Sequence, residues 1–152
     1  MNVLNANIED IYEMEAIGKK SYKKMGLEEI GIEYSSETFL NNMKLYIQSE
    51  HLIVLKCVEN QKILGGILAT CYPQLYSKSY IIQEFSMQAD PDLSDIKQGR
   101  VIVKLIDALE DVAKDQKVDL VGISIMPKYD ISKYLENKNY KKSDINFIRR
   151  LS

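Results

Sequence analysis

At 152 residues the chain is long enough to bury a core without disulfide or metal staples, and one domain over residues 1–152 is the default expectation. Its 20 basic and 22 acidic residues leave a formal net charge of −2, which provides no whole-molecule attraction to nucleic acid or to an anionic membrane, so neither partner is expected. No apolar run approaches transmembrane length, and the opening MNVLNANIEDIYEM has neither a basic n-region nor an apolar h-region; a cytoplasmic protein is expected.

Taken in chain order, Asn7-Ile8-Glu9-Asp10 opens a first helix with Ile8, Ile11, Tyr12, Glu15 and Ala16 along it. Lys19 to Lys24 crowd its C-terminal end, and acid first with base last suits the helix dipole. Gly26 and Gly31 then break the pattern. Ser35-Ser36-Glu37-Thr38 supplies N-cap chemistry for a second helix whose apolar face is Phe39, Leu40, Met43, Tyr46 and Ile47.

From Leu52 the period changes to that of strands. Leu52 to Val58 and Ile63 to Thr70, separated by the polar turn Glu59-Asn60-Gln61-Lys62, read as an antiparallel hairpin. Gly65-Gly66 inside the second strand predicts a bulge or a close approach by another group. Cys57 and Cys71 fall on these neighbouring strands and are expected to be buried thiols. His51 is the sole histidine and has no cysteine or acidic cluster at ligand spacing, so neither a metal site nor a Ser-His-Asp triad is expected.

The stretch that organises the rest runs from Tyr80 to Ala113. Tyr80 to Met87 reads as a strand and Val101 to Ala113 as an amphipathic helix, with Ile102, Leu105, Ile106, Leu109 and Val112 on one face. Between them lies a polar turn in which Gly99 is flanked by Lys97 and Arg100. A strand that passes through such a turn into an open helix N-terminus is a ready anion site, because the first N–H groups have no helical partner and the dipole favours negative charge. A second reading stays open: Ser94 N-caps a helix that begins at Asp95 and includes Gly99, leaving no phosphate loop. Val118 to Met126 is an apolar strand, so strand, helix and strand make a βαβ crossover. Pro127 stops it, Ile131 to Lys138 is a short helix, and Ile145 to Leu151 a final strand.

In element order this chain resembles the GNAT superfamily of acyl-CoA-dependent N-acyltransferases, and the nearest look is that of divergent members often encoded by bacteriophages, for which the cytoplasm would be the host's. Pro91 and Lys97-Gln98-Gly99-Arg100 stand near the family's pyrophosphate-loop proline and R/Q-x-x-G-x-G/A, with about three extra residues between. Leu64-Gly65-Gly66 is similar to its v-G hairpin, and Tyr134-Leu135 with Asn139-Tyr140 to its F-Y-x-x-x-G-F, Asn being the best substitute for glycine at a left-handed helix end. Only one loop glycine survives; with Leu105-Ile106 aligned on the family's Leu-Leu, Arg100 and Ile102 stand where the family has its two.

The resemblance implies a mixed α/β fold: a central, mostly antiparallel sheet with one βαβ crossover and helices on both faces. It implies acetyl-CoA as donor, held by Met87, Gln88, Ala89, Lys97, Gln98, Gly99, Arg100 and Val101, with the diphosphate at the N–H groups around Lys97 to Val101. The implied acceptor is an amine on a small molecule or protein, and a homodimer is left open. Glu84 interrupts an apolar strand just before the loop, where members of the family often place the glutamate that takes the amine's proton; the bland alternative is a solvent-facing or ion-paired residue. The family's usual tyrosine aligns with Leu135, which cannot donate, so Tyr134 is the expected proton donor, with Tyr129 a further one. A catalytically silent binding module of the same fold is the alternative function.

Overall fold

The computed structural model describes residues 1–125 and 130–143. The expected final strand Ile145 to Leu151, the stop at Pro127 and Tyr129 lie outside the described residues. The elements are β1 (Asn2–Asn5), a 3-10 turn (Ile8–Asp10), α1 (Ile11–Met25), a second 3-10 turn (Leu27–Ile30), α2 (Ser36–Gln48), β2 (Leu52–Glu59), β3 (Lys62–Pro73), β4 (Tyr80–Ala89), α3 (Asp95–Asp115), β5 (Leu120–Gly122) and α4 (Ser132–Asn137).

The cap signals act as their chemistry requires. Asn7 Oδ1 accepts from Glu9 N while Asp10 Oδ2 accepts from Asn7 N at 2.7 Å, a capping box that starts the chain into α1. Ser35 Oγ accepts from Thr38 N at 3.2 Å and starts α2.

The sheet has the order β1-β2-β3-β4-β5; the first three pairings are antiparallel and β4–β5 is parallel. The predicted crossover is therefore β4–α3–β5. Strands β2 and β3 close on Asn60 and Gln61, both left-handed at φ 51 and 65, the two-residue turn whose twist suits a hairpin. The edge strand β1 had no counterpart in the sequence reading, because four residues with Leu4 half exposed make too short a pattern.

Alternation along the strands loads both faces. Leu55, Cys57, Leu64, Ile67, Ala69 and Ile82 turn to α3 and meet Val101, Leu105, Leu109 and Ala113; Val54, Ile63 and Leu68 turn to the other face and meet Ile11, Met14 and Ile17 of α1 and Met43 of α2. Helices thus cover both faces, as expected. A fully buried side chain such as Leu105 contributes about 2 kcal/mol.

Two bulges interrupt the ladders. Cys57 pairs with Gly65 but Val58 with Ile63, leaving Leu64 extra; Leu68 pairs with Ser86 but Ala69 with Glu84, leaving Phe85 extra. Gly65 is also the close approach that was expected. A Cβ there would stand 2.7 Å from Val101 Cγ1 and collide with the Gln88 carbonyl, so only glycine lets α3 and β4 come this near. Cys57 is buried, Cys71 is half-buried, and both are free thiols.

Two expectations are corrected. Helix α3 begins at Asp95, not Val101, so Lys97, Gln98, Gly99, Arg100 and Val101 belong to its first two turns and form no loop. Asp95 suits the dipole at the first turn, and the remaining residues are ordinary helix formers that carry one glycine at a cost of about 1 kcal/mol. Strand β5 holds only Leu120–Gly122 of the apolar run from Val118, because beyond it backbone groups find side-chain partners from β4.

Candidate active site

Strand β4 is zipped to β3 along its length but to β5 only at Ile81, Ile82 and Gln83. From Glu84 to Ala89 its other edge pairs with no strand among the described residues, and this unpaired edge, called the slot below, runs past the main chain of Met87, Gln88 and Ala89. The bulge at Phe85 marks where the slot begins. Phe85 is itself half exposed and meets Tyr46 of α2 edge-on at 5.9 Å between centroids.

Glu84 stands at the closed end of the slot and is 3 % exposed, so it is neither solvent-facing nor ion-paired among the described residues. Its Oε2 accepts from Ser124 N at 2.8 Å. Burial pushes the carboxyl up to about 7, and the Ser124 N–H opposes that shift without cancelling it. The group is thus poised to exchange a proton near neutral pH. Gln83 and Ser124, which bond it, and Gly122, which lies against Gln83, were not singled out from sequence: ordinary polar and small residues gain meaning only when β4 and β5 are placed side by side.

At the other end of the slot, the link from Ala89 to α3 is tied down by α1. Asp90 is 2 % exposed, accepts from Lys20 Nζ at 3.0 Å and from Asp92 N at 3.1 Å, and its N–H donates to Leu64 O. Those donors together hold the Asp90 carboxyl below its ordinary value against the opposing effect of burial. Lys20 also pairs with Asp92 at 2.5 Å, and Lys24 Nζ donates to Pro91 O at 3.1 Å.

The N-terminus of α3 is open at its first turn. Ser94 makes no side-chain cap, and the first helical bond runs from Gln98 N to Ser94 O, so the N–H groups of Asp95, Ile96 and Lys97 precede the ladder. Of the amides expected to meet a diphosphate, Lys97 to Val101, only that of Lys97 is among these three; those after it lie within the helix. Val101 is fully buried against Gly65 and offers no side chain to a ligand. Lys97 Nζ pairs with Glu59, and Gln98 Nε2 donates to Leu93 O at 2.6 Å. Gly99 has nothing within 4 Å of where a Cβ would stand, and Arg100 is exposed beside it. Open amides, an exposed guanidinium and open space at Gly99 fit a diphosphate; Asp92 and Asp95 beside them oppose it.

Tyr134 has a partner other than the slot. Its hydroxyl donates to Asp107 Oδ1 of α3 at 3.0 Å, and Lys138 bridges Asp107 and Glu110 at 2.6 and 2.7 Å. Burial first, then that bond, pushes the Tyr134 hydroxyl above its ordinary value. Tyr140 donates to Glu110 at 2.9 Å and Leu135 is buried, so α4 is clamped to α3, and Asn139 is left-handed at φ 67, as its motif predicts. Two open cavities of about 490 and 450 Å³ lie elsewhere, one lined by Ile47, Leu52, Ile53 and Val112, the other between β1 and α3 at Val3, Leu4 and Lys104. Neither includes Glu84. No group of metal-binding side chains and no helix long and apolar enough to cross a membrane occurs among the described residues.

No family model matches the sequence, and no curated protein matches it. Solved structures do match the fold. The ribosomal-protein-alanine N-acetyltransferase of Brucella melitensis superposes with a TM-score of 0.71 at 12% identity over 99% of this chain and 100% of that one. A predicted acetyltransferase from Clostridium acetobutylicum, solved with acetyl-CoA, gives 0.72 at 15% over 99% and 96%. An aminoglycoside acetyltransferase from an uncultured soil metagenomic sample, in complex with sisomicin, gives 0.71 at 14% over 99% and 96%. Over its described residues the chain has the GNAT fold.

Proposed function

We propose that residues 1–152 form one acyltransferase domain that moves an acetyl group from acetyl-CoA to a primary amine. The observation that carries this reading is the slot along β4, open at Met87 to Ala89 and closed by a buried carboxyl whose protonation midpoint lies near 7. The acetyltransferase neighbours support it, and the two with stated acceptors act on amine-bearing molecules, a ribosomal protein and an aminoglycoside.

The main-chain edge at Met87, Gln88 and Ala89 would hold the pantetheine arm as a further strand, and the first-turn N–H groups of α3 with Arg100 would hold the diphosphate beside Gly99. Acetyl-CoA supplies an activated thioester carbonyl and a thiol leaving group. Glu84 accepts the proton of the incoming ammonium at its carboxylate, directly or through one water, and a carboxyl pushed up to about 7 by burial suits that exchange near neutrality. Tyr134 would serve as donor to the departing thiolate only by releasing Asp107.

A second reading, a silent binding module, draws on the acids Asp90, Asp92 and Asp95 at the anion site and on Lys20 and Lys97 being already paired. Release of free thiol from acetyl-CoA, screened over polyamines, amino acids, aminoglycosides and lysine peptides, separates the two. Glu84→Gln should lower the rate on the best amine by about a hundredfold with acetyl-CoA affinity unchanged. Equal rates would remove Glu84 as the base; binding without thiol release from any amine would favour the silent module.

A further inference from the structure

Two main-chain groups stand where the β4–β5 ladder would run on past Gln83 and Gly122: the carbonyl of Glu84 and the N–H of Ser124. Each is capped by a β4 side chain instead. Gln83 Nε2 donates to the Glu84 carbonyl at 2.9 Å, and the Glu84 carboxylate accepts from Ser124 N at 2.8 Å. The same Gln83 nitrogen donates to Ser124 Oγ at 3.4 Å, so one amide spans both strands. Room for it comes from Gly122, where a Cβ would stand 2.7 Å from Gln83 Cδ and overlap its Oε1.

Unpaired main-chain groups in a partly buried place cost about as much as a lost hydrogen bond, so two strands this close tend to zip. Side-chain caps remove that tendency at one point. We propose that Gln83 is the positioning residue of the site: its amide, seated over Gly122, props β4 and β5 apart and keeps the Ser124 N–H on the Glu84 carboxylate. This rests on the reading of Glu84 as the base. Among the described residues Glu84 pairs with Ala69 across the β3 ladder, its carboxylate accepts from Ser124 N and its main-chain carbonyl from the Gln83 amide, and no ionisable side chain contributes to its shift. Loss of the Ser124 N–H therefore leaves burial unopposed and moves the midpoint upward.

The test uses Gln83→Leu, which deletes the amide, and Gly122→Ala, which displaces it from the opposite strand. The second asks only the far end of a flexible side chain to move, so it remains foldable. The Glu84 carboxyl is followed by carbon-13 NMR titration and assigned by its disappearance in Glu84→Gln. Both variants should raise its midpoint by about one pH unit. On an amine that supports transfer, the acidic limb of the kcat profile should move with it while KM for acetyl-CoA stays within about twofold. A midpoint unchanged in Gly122→Ala overturns the proposal, whatever the melting temperature does. If Glu84→Gln leaves transfer intact, the base assignment falls, while a midpoint that moves in both variants still upholds the strut.

Discussion

Replacing Glu84 by glutamine turns its burial into a stability measurement. The folded-state midpoint of about 7 lies above the ordinary value of 4.5, so between these pH values the folded chain binds more protons than the unfolded one. Stability then falls as pH rises through that window, and the contribution of the neutral carboxyl is fully present only below about 4.5. A gap of about 2.5 units at about 1.4 kcal/mol each makes the ionised form costlier by about 3 kcal/mol above pH 7. Glutamine keeps an oxygen for the Ser124 N–H and has no proton to lose. Urea unfolding of both proteins from pH 4.5 to 8 should therefore show Glu84→Gln gaining on the parent by up to about 3 kcal/mol as pH rises. The acids held low by their partners, Asp90 and Asp107, pull the opposite way in both proteins and cancel in the difference. Two parallel curves, separated by a constant amount, would refute the burial argument.

Gly65→Ala would force a methyl against Val101 and the Gln88 carbonyl, and unfolding in urea should show a loss of about 2 to 3 kcal/mol. Tyr134→Phe removes the bond to Asp107 but leaves the Lys138 bridge; stability should fall by about 1 kcal/mol, and thiol release should persist, since that hydroxyl is already engaged.

What was legible in the sequence follows the length of each pattern. The apolar stripe of α3, the hairpin around Asn60-Gln61 and the caps at Asn7 and Ser35 are local devices, and each formed where its residues stand. The start of α3 was misplaced because Gly99 between two basic residues looks alike in a loop and in a helix, and the Ser94 start left open beside it was the one adopted. Glu84 was conspicuous as an acid in an apolar strand, yet its burial and its bond to Ser124 depend on the crossover that brings residues 84 and 124 together. The lysine latch from α1 to Asp90 and Asp92 was invisible for the same reason: seventy residues separate Lys20 from Asp90, and no periodicity spans them.

The slot along β4 is most directly tested by calorimetric titration of acetyl-CoA into the protein, with Arg100→Ala beside it. Saturable heat at one cofactor per chain is expected, with binding about tenfold weaker in Arg100→Ala, where one charge-assisted contact to the diphosphate is gone. No heat at millimolar acetyl-CoA would contradict the cofactor site and the acyltransferase reading with it.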